Sequence, residues 1–179
     1  SKFISLIIAF IQRLLFWMLF MKQLLLALLF SLSCSVSAQT RFCHVPVLKV
    51  YDGDTITVDV DGAKVRVRVS EIDAPEMAQP YGKESRDYLA RILEGKQVCL
   101  DKHGVDVYQR WLADVYVGTF SISRLMVASG LAWVYSEYSH DALLLAAQQR
   151  AKSQKVGLWA DLNPMPPWEY RKNKRYKLS

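Results

Sequence analysis

The chain has 179 residues, with 23 Lys and Arg against 17 Asp and Glu, a formal net charge of +6. A single domain is the expectation at that length, and a basic balance points first to an anionic partner such as nucleic acid or a membrane surface. The charge is uneven, however: residues 1–38 hold three bases and no acid, residues 171–179 hold five bases, and residues 39–170 keep 15 bases against 17 acids. This distribution excludes binding through bulk positive charge on the body, so any phosphate site must be built from a few placed residues.

Residues 1–38 are expected to be an export leader, since 27 of them are apolar against 65 of the remaining 141. Met21-Lys22-Gln23 opens a short basic region, Leu24 to Leu32 form an apolar stretch, and Val36-Ser37-Ala38 fits the small-residue pattern of signal peptidase sites. Cleavage is expected after Ala38, with Met21 as the true start and export to the periplasm or beyond the cell. The alternative is an uncleaved anchor over Phe3 to Phe20, against which Arg13 in its middle counts. Ser31-Leu32-Ser33 before Cys34 is a poor match to a lipoprotein box.

In the mature part, Val45 to Tyr51 and Thr55 to Val60 read as strands on either side of the turn Asp52-Gly53-Asp54. Asp61-Gly62 is a second turn. After it Val65, Val67 and Val69 alternate with Arg66 and Arg68, the period-two pattern of a strand with one face in a core. A helix is expected from Gly82 to Glu94, with Tyr88, Leu89, Ile92 and Leu93 on one face and Gly95 as its stop. Gln97 to Leu100 and Arg110 to Val117 are the fourth and fifth strands. Ser121 or Ser123 caps a short helix through Ala128, and Ser139 caps a last one from Leu143 to Lys155. Asn163-Pro-Met-Pro-Pro is expected to end regular structure, leaving a disordered basic tail over 163–179 behind a domain spanning 39–162. Three meandering strands, a helix and two more strands make an α+β, mainly β plan: a five-stranded Greek-key barrel of the OB type with three helices.

Asp54 opens strand two and Asp73 follows strand three, so an antiparallel meander brings them to one edge, with Glu76 close by. Carboxylates gathered there repel one another unless a cation lies between them. The candidate donors are all oxygens, which suits a hard ion such as Ca²⁺ or Mg²⁺. Arg68 and Arg110 supply forks suited to phosphate oxygens, and a metal, two arginines and a spare carboxylate are the parts of phosphodiester hydrolysis. His44, His103 and His140 are scattered without ligand spacing. Arg66 and Glu71 flank the site and read as solvated or paired surface charges, and Trp111, Trp133, Trp159 and Trp168 as packing. Cys43 and Cys99 could pair in an oxidising compartment or stay separate buried thiols.

In order and spacing, Asp52-Gly-Asp54-Thr55, Arg68-x4-Asp73-x-Pro75-Glu76 and Asp106-x-Tyr108-x-Arg110 resemble the pattern of the thermonuclease family typified by staphylococcal nuclease. The resemblance runs from about Lys49 to Trp159 and takes in Gly130-Leu-Ala and Gly157-Leu-Trp159. The ending Asn163-Pro-Met-Pro-Pro-Trp168-Glu is similar to that of exported bacterial members. It implies that Asp54, Asp73 and the backbone carbonyl of Ala74 ligate one Ca²⁺ and that Arg68 and Arg110 bind the scissile phosphate. Glu76 is then the general base for water or the holder of its hydration network, with Asp52 standing behind the ligands. Tyr108 would bond a terminal phosphate and Tyr138 would be a pocket tyrosine. Ser136 stands where staphylococcal nuclease has a second tyrosine, and Val107 stands where the family has a lysine. The implied substrate is DNA or RNA, cut to 3′-phosphate and 5′-hydroxyl ends by a monomer without a protein partner. The same resemblance places Cys43 at the start of strand one against Cys99 in strand four, as a disulfide. The alternative is a non-catalytic OB module that binds single strands or a protein partner.

Overall fold

The structure, a computed structural model, describes residues 13–23, 40–137, 139 and 141–176. The expected cleavage region, Tyr138 and His140 lie outside the described residues. The chain divides into two units, Ser1–Ala38 and Gln39–Ser179. In the first, residues 13–23 are helical, and no helix among the described residues is long and apolar enough to cross a membrane.

The second unit is a closed barrel. Strands β1 (Thr40–Val50), β2 (Thr55–Val60), β3 (Ala63–Val69), β5 (Gln97–Val105) and β6 (Trp111–Val117) are its staves, with β4 (Ile72–Asp73), β7 (Phe120–Ser121) and β8 (Trp133–Val134) as short additions. The sheet runs β3-β2-β1-β5-β6-β7, and a parallel pairing of β3 with β6 joins its ends. The alternation in β3 works as expected: Val67 and Val69 are buried while Lys64 and Arg66 face out. Ile56, Val58, Val98, Leu100, Ala113 and Val115 complete the interior from the other staves. Each valine, leucine or isoleucine so withdrawn from water contributes roughly 1.5–3 kcal/mol.

Strand β1 begins five residues earlier than its apolar pattern suggests, because it pairs with β5 over its first half and with β2 over its second. Between Phe42↔Leu100 and Val45↔Val98, two residues of β1 face the single Cys99. This bulge, with His44 at φ 59°, sets Cys43 against Cys99, to which it is disulfide-bonded. Strand β5 likewise runs on to Val105, through a second bulge near Gly104, over a polar stretch that carries no alternation signal.

Helix α1 (Gly82–Leu93) buries Leu89 and Leu93 against the barrel. Helix α2 (Ile122–Ala128) is capped by the Ser121 hydroxyl, which accepts from the amide of Arg124. Helix α3 (Ala142–Ser153) is capped by Asp141 and not by Ser139: the Asp141 carboxylate accepts from the amide of Leu143 at 2.8 Å. The Ser139 hydroxyl is engaged elsewhere, donating to Glu71 at 2.9 Å. A 3₁₀ turn (Gly157–Ala160) follows. The basic tail is not disordered over its first part: helix α4 covers Pro167–Tyr176. Proline is tolerated in the first turn of a helix, where its missing N–H has no partner to lose, so the proline run ends one segment and starts another.

Candidate active site

The site forms at one rim of the barrel, and strand pairing puts most of its residues there. Thr55 faces Arg68 across β2 and β3, and the Asp54 carbonyl accepts the Val69 amide at 2.8 Å, so Asp54 lies beside the end of β3. The closing β3–β6 pair sets Arg68 opposite Leu112, two residues past Arg110, which brings both arginines to the same rim. Asp73 sits in β4, held by its pairing with Trp133 of β8. The turn before Asp54 needs glycine: a Cβ on Gly53 would lie 1.9 Å from the Ser85 hydroxyl and 2.6 Å from the Ala74 Cβ. Gly82 permits a similar approach, since its Cβ would lie 2.0 Å from the Glu76 carbonyl oxygen.

Asp54, Asp73 and Arg68 form a tight group. Asp54 is 6% exposed and Asp73 1%. The Arg68 fork reaches Asp54 Oδ2 at 2.7 Å through Nη1 and Asp73 Oδ1 at 3.0 Å through Nη2. Asp54 also accepts the Ala74 amide at 2.8 Å and the Thr55 hydroxyl at 3.0 Å. Asp52 accepts the Asp54 amide at 3.0 Å from behind. Burial and the adjacent Asp54 charge push the Asp52 carboxyl up to about 6. Burial likewise raises Asp73, with Asp54 adding to it and the arginines opposing. Arg68 loses hydration, but Asp54 and Asp73 hold its proton more firmly than in water.

Arg110 is fixed separately. Its Nε and Nη2 hold Asp106 Oδ2 at 2.8 and 2.7 Å, while Asp106 Oδ1 accepts the amides of Tyr108 and Arg110 at 2.9 Å each. Burial is the largest single effect on the Asp106 carboxyl and raises it, yet the bonds from the Arg110 amide and guanidinium and from the Tyr108 amide together outweigh it and leave it below the usual carboxylate range. Nη1 of Arg110 reaches the Thr55 hydroxyl at 3.3 Å, so Thr55 links this arginine to the Asp54 carboxylate. The Tyr108 ring is 74% exposed, with the Arg110 guanidinium 5.3 Å from its centroid.

One site residue was not foreseen. Arg171, in α4, donates to Asp73 Oδ2 at 2.8 Å, to Asp73 Oδ1 at 3.2 Å and to Glu76 Oε1 at 2.9 Å. Burial works against its charge, but its bonds to Asp73 and Glu76 outweigh that and raise its pKa. The helix is anchored by Trp168, which stacks on Tyr135 (5.7 Å, 11°) and meets Trp133 edge to face. It is also tied by Gln79, whose Nε2 donates to the Met165 carbonyl at 2.6 Å. Trp168 and Arg171 are three residues apart and share a helix face. That spacing is the sequence signal that could have found Arg171.

Asp52, Asp54, Arg68, Asp73, Ala74, Glu76, Tyr108 and Arg110 thus line one cleft of about 1060 Å³, with Arg66, Tyr135 and Arg171. Among the described residues no three or more His, Cys, Asp or Glu side chains are grouped as a metal cage. Asp54 and Asp73 nonetheless converge closely enough to share one cationic group, Arg68. Two carboxylates with a backbone carbonyl are a hard oxygen set that fits Ca²⁺, provided water or substrate completes its six to eight ligands.

Residues 66–161 match the family model described as staphylococcal nuclease homologue. The chain is 40% identical over 155 residues to an uncharacterized endonuclease of Haemophilus influenzae, covering 86% of each. It is 36% identical over 137 residues to a micrococcal nuclease of Shigella flexneri, covering 70% of this chain and 79% of that one. With the staphylococcal-like nuclease CAN1 of Arabidopsis thaliana it shares 42% identity over 117 residues, 65% of this chain and 36% of the relative.

Proposed function

This chain belongs to the staphylococcal nuclease family, and from that premise we propose that it is an exported, Ca²⁺-dependent nuclease that cuts DNA or RNA to 3′-phosphate and 5′-hydroxyl ends. Phosphodiester hydrolysis comes with the family; the cation, the ends and export are what we add. The observation that carries the reading is the convergence of buried Asp54 and Asp73 on one cationic group, with Arg110 joined to them through Thr55.

Each residue has work suited to its setting. Asp54, Asp73 and the Ala74 carbonyl would hold Ca²⁺, which when bound supplies positive charge against the phosphate. Arg68 and Arg110 donate to the nonbridging oxygens of the scissile phosphate and offset the charge that grows there as the fifth oxygen adds. Glu76 is 40% exposed where Asp73 is 1%, so of these two it is the carboxylate that water reaches. Water attacks phosphorus, its proton passes to Glu76, the bond to the 5′-oxygen breaks, and that oxygen takes a proton from solvent. Arg171 holds Glu76 Oε1 and so orients this carboxylate. The Cys43–Cys99 bond fits an oxidising compartment and supports export.

The test is cleavage of a labelled single-stranded DNA by the purified protein with Ca²⁺ and with a chelator, followed by mass spectrometry of the fragments. Cleavage only with Ca²⁺, yielding 3′-phosphates, is expected. Binding without cleavage under both conditions would overturn the reading in favour of a binding module.

A further inference from the structure

Next to the cleft lies a row of cations with a single carboxylate, Asp59, set across from Lys64 in the register of β2 with β3. Lys49 is in register with Thr57, and Thr57 with Arg66, so the three stand side by side across the outer face of β1, β2 and β3. Along β3, Lys64, Arg66 and Arg68 alternate onto that same outer face at steps of roughly 6.6 Å. Arg66 lines the cleft that Arg68 enters, so the row is continuous with it. Beside the row stands Tyr51, 38% exposed, with Lys49 Nζ 4.7 Å and the Arg66 guanidinium 4.9 Å from its ring centroid.

Some arginines of this unit are matched to acids, Arg41 to Asp101, Arg86 to Asp87 and Arg124 to Asp141, while exposed Arg91 and Arg150 have no ion pair among the described residues. Among the described residues, Lys49, Lys64 and Arg66 form no ion pair, although residues 39–170 carry more acids than bases. Lys49 and Arg66 at an exposed ring, with Lys64 next along β3, outnumber Asp59 on this face and are a local attraction for a polyanion with accessible bases. Cations that track a backbone and an aromatic platform for a base are the two parts of single-strand recognition.

We propose that this face, Lys49–Tyr51–Lys64–Arg66, is a second binding track for single-stranded nucleic acid, continuing the strand away from the cleft. The proposal rests on the nuclease reading for its substrate. Arg66 takes the phosphate next beyond the one at Arg68, Tyr51 stacks on an unpaired base, and Lys49 and Lys64 hold the phosphates that follow. A duplex keeps its bases stacked inside and cannot use Tyr51, so the track favours single strands and substrates several nucleotides long.

The test uses the full chain in chelator, with fluorescence anisotropy of labelled 4-nucleotide and 12-nucleotide single-stranded DNA across a salt series. The wild type is expected to bind the 12-mer at least tenfold more tightly than the 4-mer. The variant Lys49→Ala/Lys64→Ala/Arg66→Ala should lose that length preference, and its slope of log K against log salt should be shallower by about 2, at roughly 0.7 per lost contact. Tyr51→Ala should weaken 12-mer binding about tenfold while Tyr51→Phe retains it. An unchanged length preference and salt slope in the triple variant, with its melting temperature intact, would overturn the track. Cleavage is scored separately with Ca²⁺: length-dependent binding without cleavage leaves the track standing and removes the nuclease reading. Cleavage with unaltered binding in the triple variant does the reverse.

Discussion

Arg110 and Glu76 occupy opposite kinds of environment. Arg110 is held at three of its nitrogens by Asp106 and Thr55, so its fork is preorganised toward the cleft. Losing one such donor costs about 10²–10³ in rate elsewhere. Arg110→Ala is therefore expected to lower single-turnover cleavage by about that factor, and Glu76→Gln by a similar one, with unchanged far-ultraviolet circular dichroism. Near-wild-type rates in either variant would remove that residue from the chemistry. At this scale much was legible: five charged residues at fixed spacing pointed to one rim, and all five line one cleft, four of them in or beside paired strands and Glu76 in the loop after β4. Thr55 stood inside the same motif, but its bridging part was not readable, because that depends on Arg110 arriving from a stave 55 residues away.

At the level of elements, the five staves follow from turns and alternation, whereas α4 does not. Its sequence, Pro-Trp-Glu-Tyr-Arg-Lys-Asn-Lys-Arg-Tyr, lacks an aliphatic stripe and reads as solvated. What holds it is long-range: Trp168 between Tyr135 and Trp133, and Gln79 on the Met165 carbonyl. The capping of α3 shows the same limit. Ser139 and Asp141 are equally good caps by type, and only the engagement of Ser139 by Glu71, 68 residues earlier, decides between them. Two aromatic pairs contribute roughly 0.5–1.5 kcal/mol each beyond burial. Trp168→Ala is accordingly expected to lower the melting temperature by about 2–12 °C, at roughly 2–4 °C per kcal/mol. It should also reduce the cleavage rate at a temperature where the protein remains folded, because Arg171 loses its anchor. A full rate in folded Trp168→Ala would separate α4 from the site.

Across the whole molecule, the barrel closes through one parallel pair, β3 with β6, and the Cys43–Cys99 bond ties β1 to β5 across 56 residues of chain. A loop of that length loses about 4 kcal/mol of unfolded-state entropy by the simple chain model. Cys43→Ser/Cys99→Ser is expected to be less stable by about 2–4 kcal/mol in urea unfolding, while still cleaving when folded, since no cleft residue lies on the bonded half of β1. The parallel closure could not be read from local patterns, as it joins segments that only the finished fold brings together. The net charge of +6 pointed to a polyanion, but one of the tail's bases, Arg171, is spent inside the carboxylate cluster. Its position has a consequence in time. Arg171 is made 98 residues after its partner Asp73, and ribosomes add about 5–20 residues per second. For about 5–20 s each nascent chain therefore carries its acids without the guanidinium that orients Glu76, and the cutting centre is the last part of the body to be completed.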